Sequence, residues 1–335
     1  MSGIASAPVA GSSRRATEAS ARPASGSHPG SPSVPSLVVL GDLALDIAVS
    51  VREPLDPGSD AAASVRFYQG GSAANTARMA ARLGGRASFV GAVGRDAWGR
   101  ALVRVLRDAG VEVHAPPVAG MTARIVVLVA PDGERTFATE RGAADGLLPA
   151  HLHPAWFRRD GLHLPGYSLF SVTLRDAALA ACRLAREAGA AVSVDLASRR
   201  PLLARGRRAA LRDLRAVAPD LLFANSDEAE ALTGGGRPEA LLEVAAVVVL
   251  KQGRSGCVVL ARTRPGSVAL AVGTRPVEAR DTTGAGDAFD AGFLLSWLAA
   301  PPEARRDPRV LRTAALAGHR AAHRHLGAHR RELEP

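Results

Sequence analysis

Hydrophobic positions follow two alternating patterns from residue 36 onward. Short runs rich in β-branched residues predict buried strands at 37–40, 87–93, 162–164, 191–194, 221–224, 247–250, 257–260 and 268–272. Apolar residues at helical spacing predict helices at 72–83, 99–109, 174–188 and 207–217. This alternation predicts an α/β fold with a mostly parallel sheet sandwiched by helices. Such sheets bind ligands at the carboxyl ends of their strands.

Two stretches break the alternation, and each predicts an antiparallel hairpin. Residues 45–51 and 63–68 form the first pair of strands. Residues 124–130 and 135–139 form the second pair, which turns at Pro131-Asp132-Gly133. Together they predict a small second sheet built from about 45–68 and 121–139.

Composition narrows the class of protein. The 335 residues are 47% hydrophobic, enough for one large α/β domain, which we expect over 36–330. Residues 1–35 are rich in Ser, Ala, Pro and Gly and lack the apolar core of a secretory signal, so they predict a disordered extension; an overlong gene start explains them equally well. No apolar run is long enough to span a bilayer, so we expect no membrane partner. The cysteines Cys182 and Cys257 lack metal-ligand spacing and suit a reducing cytoplasm.

The net charge of +10 raises nucleic acid as a partner. The basic residues are dispersed along the chain, however, and only 4% of residues are aromatic, so neither a basic recognition helix nor a stacking platform is evident. We therefore expect no nucleic-acid partner.

The segment 281–293 (DTTGAGDAFDAGF) places glycines where a loop becomes an apolar helix. Gly284 and Gly286, with Ala285 between them, allow backbone N–H groups to converge on an anion at the positive end of the helix dipole. Asp287 would lie just inside the helix, where it can accept a proton from a hydroxyl group that attacks a bound phosphoryl group. The alternative is an ordinary helix cap.

Two other segments present polar groups in the same kind of setting. Gly70 and Gly71 precede the helix predicted at 72–83, whose first turn contains Asn75. The buried strand at 37–40 ends in a glycine that is followed by the carboxylates of Asp42 and Asp46. A turn acid at the end of a strand is the alternative interpretation of Asp46.

Together, the segments around Gly70 and Gly284 resemble the two signatures of the ribokinase-like carbohydrate kinases, the PfkB family. The resemblance covers roughly 36–327. It implies a ribokinase-like fold in which the small sheet forms a lid over the acceptor sugar, and an ATP-dependent transfer of the γ-phosphoryl group assisted by Mg²⁺. The exposed strand edges of a lid also suggest a homodimer formed through it.

The resemblance also implies roles for individual residues. Asp46, with help from Asp42, would hold sugar hydroxyl groups, and Gly70, Gly71 and Asn75 would contribute further acceptor contacts. Ribokinases usually carry Lys at the position of Ser72 and Asn at that of Ala44, which counts against ribose itself.

Two further strand ends match nucleotide and metal positions of the family. Asn225 and Glu228 match its N-x-x-E motif, which acts on Mg²⁺ largely through water; helix capping is the alternative. Lys251, the only lysine of the chain, and Gly253 would lie beside the ATP phosphates together with Thr283, although a lysine at a strand end is often simply solvated.

The remaining interpretations concern the acceptor and the C-terminus. A sugar or sugar acid of the ribose, fructose or 2-keto-3-deoxygluconate type is favoured, with a nucleoside kinase as the nearest alternative and a non-catalytic sugar- or nucleotide-binding regulator as a different class. A sugar acid needs an arginine, for which the candidates are Arg124, Arg135 and Arg141. Three histidines near the C-terminus predict a polar helix face rather than a metal site; they are His319, His323 and His325.

Overall fold

The computed structural model describes residues 34–132, 134–263, 266–279 and 281–333. Residues 1–33 of the predicted extension and Gly133 of the predicted turn lie outside the described residues. The strands are β1 Ser36–Leu40, β2 Ala44–Val51, β3 Ala63–Gly70, β4 Arg86–Val90, β5 Val93–Gly94, β6 Glu112–His114, β7 Pro117–Val118, β8 Ala123–Val129, β9 Arg135–Glu140, β10 Gly161–Pro165, β11 Ala191–Asp195, β12 Leu221–Asn225, β13 Val247–Lys251, β14 Cys257–Arg262 and β15 Ser267–Val272.

Helices alternate with these strands as the hydrophobic pattern predicts. The α-helices are α1 Ser72–Arg82, α2 Ala97–Asp108, α3 Gly166–Leu169, α4 Arg175–Glu187, α5 Arg199–Leu203, α6 Arg207–Val217, α7 Ser226–Thr233, α8 Ala285–Leu298 and α9 Pro308–Leu326. Short 3₁₀-helices span Gly142–Gly146, Pro149–His151, Pro154–Phe157, Pro238–Glu243, Gly253–Ser255 and Pro302–Ala304.

The large sheet confirms the predicted α/β architecture. Its strand order in the described chain is β15-β14-β13-β12-β11-β10-β1-β4-β6, and the seven strands from β6 to β13 are parallel. The last two strands, β14 and β15, are antiparallel additions at one edge. The carboxyl ends of the parallel strands therefore meet along one side of the sheet.

Helices cover both faces of the large sheet. On β1, Leu37 and Val39 pack into a core cluster with α1, α8 and α9, whereas Val38 and Leu40 pack into a second cluster with α4 and α6. All four side chains are fully buried. Burial on both faces explains why the central strands are continuous apolar runs in the sequence.

The small sheet has the order β3-β2-β8-β9 and contains both predicted hairpins. Its two inner strands, β2 and β8, pair in parallel. The first three residues of β2 are buried, and exposure then increases along the strand. The buried end of β2 thus places Asp46 at the side of the large sheet where the strands end.

One predicted strand is divided in two. The run at 87–93 leaves the large sheet after Val90 and resumes as β5, which pairs with β7. Gly91 lies at this exit, where a side chain would clash with the carbonyl oxygen of Gly41. None of the helices in the described part of the chain combines the length and the apolar character needed to cross a lipid bilayer.

Candidate active site

The glycine loop before α8 leaves the N-terminus of that helix open. Gly284 is the N-cap residue with φ 81°, a left-handed conformation that favours glycine, and no side chain caps the helix in the described chain. His325 of α9 hydrogen-bonds through Nε2 to the carbonyl oxygen of Thr283 at 2.7 Å and so fixes the loop. The N–H of Ala285 donates to the carbonyl of Thr282 at 3.1 Å. Since the next N–H groups of a helix lack intrahelical partners, Gly286 and Asp287 extend the anion-binding end.

Asp287 is held by two side chains from the start of α1. Ser72 Oγ donates to its Oδ1 at 2.7 Å, and Asn75 Nδ2 donates to its Oδ2 at 2.9 Å. Burial raises the pKa of Asp287 to about 6, while these two donors partly oppose the shift. The carboxylate is therefore ionised at neutral pH, yet its pKa is close enough to that pH for it to act as a general base.

On the acceptor side, the two glycines before α1 make room for the acids. A side chain at Gly70 would clash with the carboxylate of Asp46, and one at Gly71, where φ is 93°, would clash with the carbonyl oxygen of Asp42. Asp42 is itself buried and accepts from the N–H of Ala73 at 3.4 Å. The glycine pair thus lets the start of α1 pack directly against both acids.

Asp46 and Asp287 line the same cavity, as the sequence interpretation requires. The cavity has a volume of about 620 Å³. Ten other predicted site residues also line it, namely Asp42, Gly71, Asn75, Asn225, Glu228, Lys251, Gly253, Thr283, Gly284 and Gly286. Gly70 and Ala285 do not line it. Gly70 lies behind the Asp46 carboxylate, and Ala285 lines a neighbouring cavity.

Lys251 is not a solvated lysine. Its Nζ lies 3.1 Å from Asp195 Oδ2 and 3.2 Å from both carboxylate oxygens of Asp290. Burial alone would lower the pKa of Lys251, but the two carboxylates outweigh burial and raise it. A side chain at Gly286 would lie 3.5 Å from Nζ, so the ammonium group sits directly beneath the glycine loop. The two acids therefore neutralise part of the positive charge of Lys251.

Asn225 and Glu228 form a complete capping box at the start of α7. Asn225 Oδ1 accepts from the N–H of Glu228 at 2.8 Å, and the Glu228 carboxylate accepts from the N–H and Nδ2 of Asn225, each at 2.9 Å. The two residues therefore do cap the helix, as the alternative interpretation predicts, and both side chains also line the cavity. Burial, reinforced by the nearby charge of Asp195, raises the pKa of Glu228 to about 7.

A second cavity, of about 360 Å³, lies beyond the glycine loop and shares Lys251, Gly253, Thr282 and Gly286 with the first. Its lining is mainly apolar and comes from the loops before β14 and after β15 and from α8 and α9, including Val277, Phe289, Ala322 and Leu326. An apolar slot next to an open helix N-terminus suits a flat base joined to phosphates.

The prediction of a polar helix face is wrong for one of the three histidines of α9. His319 is buried, contacts the carbonyl oxygen of Val272 at 3.3 Å and packs edge-on against the ring of Phe289. His323 hydrogen-bonds to Thr274 Oγ1 at 3.0 Å. Sequence pattern alone missed this difference because the apolar partners of α9 come from distant segments.

Two functional candidates, Asp195 and Arg330, were not predicted, whereas Arg141 was one of the three arginines predicted for a sugar acid. Asp195 ends β11 at the same edge as Asp46 and Asn225, and its Oδ1 is buried without a hydrogen-bond partner in the described residues. Arg141 donates through Nε to Asp145 at 2.7 Å, while its buried Nη2 has no partner in that part of the chain. A polar residue at a strand end was a usable signal for Asp195. Arg330, which contacts Asp46 from the C-terminal segment, had no local signal.

The sequence is similar to those of known carbohydrate kinases. The model of the pfkB family carbohydrate kinases matches residues 34–327. Fructokinase-1 of Oryza sativa subsp. japonica is 32% identical over 292 residues, which cover 83% of this chain and 87% of that protein. The ATP-dependent ribose-1-phosphate kinase of Halopiger xanaduensis is 34% identical over 268 residues, with 75% and 81% covered. The crystal structure of adenosine kinase from Sinorhizobium meliloti superposes with a TM-score of 0.74 at 26% identity, covering 88% of this chain and 94% of that one.

Proposed function

The chain belongs to the pfkB family of carbohydrate kinases, and on that premise we propose that it transfers the γ-phosphoryl group of ATP to a hydroxyl group of fructose or a closely similar small sugar, with 36–330 as its kinase domain. It is a phosphotransferase with an alcohol group as acceptor. The observation that supports this best is the shared cavity, which Asp46 and Asp287 line together with the open N-terminus of α8.

The two cavities suggest how ATP and sugar are arranged. The base of the nucleotide would occupy the apolar cavity beside Phe289 and Ala322, and its phosphates would cross the glycine loop into the larger cavity. The sugar would lie against Asp46, whose carboxylate oxygen can accept from hydroxyl groups. This arrangement directs the reacting hydroxyl toward the terminal phosphate.

Asp287 would then remove the proton from the attacking hydroxyl. Ser72 and Asn75 keep its carboxylate oriented, since each oxygen has one fixed donor. The N–H groups at the start of α8 would stabilise the charge on the phosphoryl group during transfer. Lys251, held beneath the loop, adds a positive field that its two acidic partners reduce.

The donors present in the larger cavity fit a magnesium ion bound mainly through water and phosphate. No group of three or more His, Cys, Asp or Glu side chains among the described residues forms a metal cage. Asp195 Oδ1 is nevertheless a buried oxygen without a partner there, and Glu228 lines the same cavity. Hard oxygen donors of this kind suit Mg²⁺, which retains several waters. When bound, the ion would neutralise charge on the phosphate oxygens.

A sugar acid is a second candidate acceptor because of Arg141. Its Nη2 atom is buried, lacks a hydrogen-bond partner in the described residues and belongs to a side chain that lines the acceptor cavity. A guanidinium N–H in this position would pair with a carboxylate, as in 2-keto-3-deoxygluconate, or with a sugar oxygen. The Arg141→Gln variant separates the two cases, because loss of a carboxylate contact should raise the KM of the sugar acid much more than that of fructose.

A panel assay tests the proposed function. Release of ADP is measured with fructose, ribose, 2-keto-3-deoxygluconate and adenosine as acceptors, each with and without Mg²⁺. We expect the highest kcat/KM with fructose or a close analogue. Preferential turnover of adenosine would establish the nucleoside kinase instead. Nucleotide binding without turnover of any acceptor would indicate a non-catalytic regulator.

We also propose that the small sheet mediates a homodimer. Val65 on β3 and Phe137 on β9 expose about half of their surfaces, 52% and 55%. Apolar side chains on an exposed sheet favour association with a second copy. Light scattering coupled to size-exclusion chromatography should give a dimer mass that Val65→Asp reduces to a monomer mass.

A further inference from the structure

The segment that follows α9 returns to the small sheet. Leu333 donates its N–H to the carbonyl of Phe67 at 2.8 Å, and Glu332 bridges Tyr68 in antiparallel fashion. Its partner β3 is an edge strand of that sheet, and the side chain of Leu333 packs against the core cluster that includes Phe67. The C-terminal segment, residues 328–333, therefore docks by backbone pairing and by burial of an apolar side chain.

This docking places the guanidinium group of Arg330 on the proposed sugar-binding acid. Arg330 Nη2 donates to Asp46 Oδ2 at 2.7 Å and to the carbonyl oxygen of Gln69 at 3.2 Å. The guanidinium group stacks on the ring of Tyr68 at 4.5 Å from its centroid, and only 16% of the side chain is exposed. Backbone, ring and carboxylate together fix Arg330 in one orientation.

Arg330 also approaches the glycine loop. Its Nη1 lies 3.9 Å from Asp281 Oδ2. The other oxygen of Asp281 pairs at 3.1 Å with Arg135 of β9, which donates to Thr283 Oγ1 at 3.0 Å as well. Asp281 therefore links the C-terminal segment, the small sheet and the loop before α8.

The contact with Arg330 leaves part of Asp46 available. A carboxylate has about four acceptor positions on its two oxygens, and Arg330 occupies one position on Oδ2. The other oxygen, Oδ1, fills the space that a side chain at Gly70 would occupy, and the Asp46 side chain lines the acceptor cavity. We propose that Arg330 is a positioning residue for the acceptor: it holds the Asp46 carboxylate through Oδ2, aims its free oxygen at the sugar hydroxyl groups and connects this site to the phosphate loop. This inference rests on the proposed role of Asp46.

The surrounding charges support this role. Burial raises the pKa of Asp46, and Arg330 opposes that shift. The other charged groups that face Asp46 are Asp42 after β1 and Asp281 before α8, which raise its pKa further, and Arg78 on α1. Without Arg330, the neutral acid would thus persist to higher pH, and a neutral carboxyl group is a poorer acceptor for sugar hydroxyls.

The competing role for the same contact is inhibition. If Arg330 blocks Asp46, its removal should lower the KM of the sugar, whereas a positioning residue should have the opposite effect. The chain offers a matched control in Arg331, a neighbouring arginine that is exposed. Both residues lie on the C-terminal segment, so their alanine variants remove the same charge from the same part of the chain.

Three variants test the proposal: Arg330→Ala, Arg330→Lys and Arg331→Ala. Loss of a charge-assisted hydrogen bond should raise the KM for the acceptor by about 10- to 100-fold in Arg330→Ala. We expect the KM for ATP to change less than about twofold, Arg330→Lys to recover part of the loss, and Arg331→Ala to match the wild type. The acid limb of kcat/KM for the sugar should move to higher pH in Arg330→Ala only.

Separate measurements distinguish the possible failures. Calorimetric titration of the sugar in the presence of a non-hydrolysable ATP analogue reports binding without turnover. If Arg330→Ala folds poorly, the same titration is made with Arg330→Lys. Weaker sugar binding by both Arg330 variants supports the proposal. An unchanged or lower acceptor KM together with unchanged sugar binding would overturn it, even if the wild type is a good sugar kinase. A wild type that neither binds nor phosphorylates any sugar would overturn the proposed function, and this inference with it.

Discussion

Replacement of Asp287 by asparagine removes the proposed base with little change in shape. In the wild type, each carboxylate oxygen accepts one hydrogen bond, from Ser72 Oγ or from Asn75 Nδ2. The asparagine carbonyl can still accept from Asn75, and the hydroxyl of Ser72 can rotate to accept from the new amide. The geometry of the two helix starts should therefore survive, while the group that accepts the proton is lost.

The expected effect is large on turnover and small on binding. A positioned general base contributes about 10²- to 10⁴-fold to rate, so kcat of Asp287→Asn should fall by that factor, or roughly 3–5 kcal/mol in the activation free energy. The KM for ATP should stay within about threefold, because the loop and the apolar cavity are unchanged. The melting temperature should not fall, since an amide is less costly to bury than a carboxylate.

The pH dependence gives a second readout. Because burial raises the pKa of Asp287 to about 6, its carboxylate becomes protonated as the pH falls through that value. Wild-type kcat should thus decline below about pH 6, whereas the residual kcat of Asp287→Asn should not show this limb. When kcat is measured at saturating sugar, its pH profile reports only groups of the enzyme–substrate complex. This measurement therefore distinguishes the titration of Asp287 from that of Asp46.

The assay is the initial rate of ADP release from pH 5 to 8 at saturating ATP and sugar. Asp96→Asn is the matched control: Asp96 accepts from the N–H of Gly99 at 2.7 Å and from Thr122 Oγ1 at 2.8 Å, but it caps α2 and does not line the active-site cavity. It should keep kcat. A kcat for Asp287→Asn within fivefold of the wild type, or an acid limb that persists in this variant, would refute the assignment of the base.

Four further predictions follow from the same geometry. Ser72→Ala removes a donor that lowers the pKa of Asp287, so the acid limb of kcat should move to higher pH; an unshifted limb would contradict this. Lys251→Met leaves two buried carboxylates without their cation and should lower the free energy of unfolding, measured in urea, by about 3–5 kcal/mol. This loss of stability should be smaller at pH 5 than at pH 8. The reason is that burial raises the pKa of Asp290, so this acid can protonate at the lower pH. Ala322→Trp fills the apolar cavity and should raise the KM for ATP more than about tenfold with little effect on sugar binding. Removal of divalent ions with EDTA should abolish turnover, and added Mg²⁺ should restore it.

The fold was predictable because its signals are local. Strands buried on both faces are continuous apolar runs, and the helices between them have regular spacing, so most elements agree with the pattern to within a few residues. The edge strand β6 was missed because it is short and carries Glu112 and His114, which gives it no apolar run. The division of 87–93 at Gly91 was missed because it depends on the approach of Gly41, which lies about fifty residues earlier in the chain.

The site was predictable only where a local motif marks it. Asp46, Asn225 and Lys251 could be found because each follows a buried strand or a glycine turn, and the parallel sheet brings those ends together. The partners of these residues depend on tertiary contacts. Asp46 and Arg330 are separated by 284 positions, and nothing in the sequence near either residue indicates the pairing.

The distribution of charge supports our assignment of the base to Asp287 rather than to another acid. Asp46 is paired with Arg330, and Asp195 and Asp290 share Lys251, so these carboxylates have direct cationic partners. Among the described residues, Asp287 and Glu228 instead accept from neutral donors, and burial raises the pKa of both toward neutrality.

Glu228 and Asp287 differ in their location relative to the proposed phosphate site. Both Glu228 oxygens are engaged with Asn225 in a helix cap, whereas Asp287 lies in the first turn of α8, beside the loop that would hold the terminal phosphate. Because a general base must reach the attacking hydroxyl and also have a pKa near the working pH, we assign the base to Asp287 rather than to Glu228.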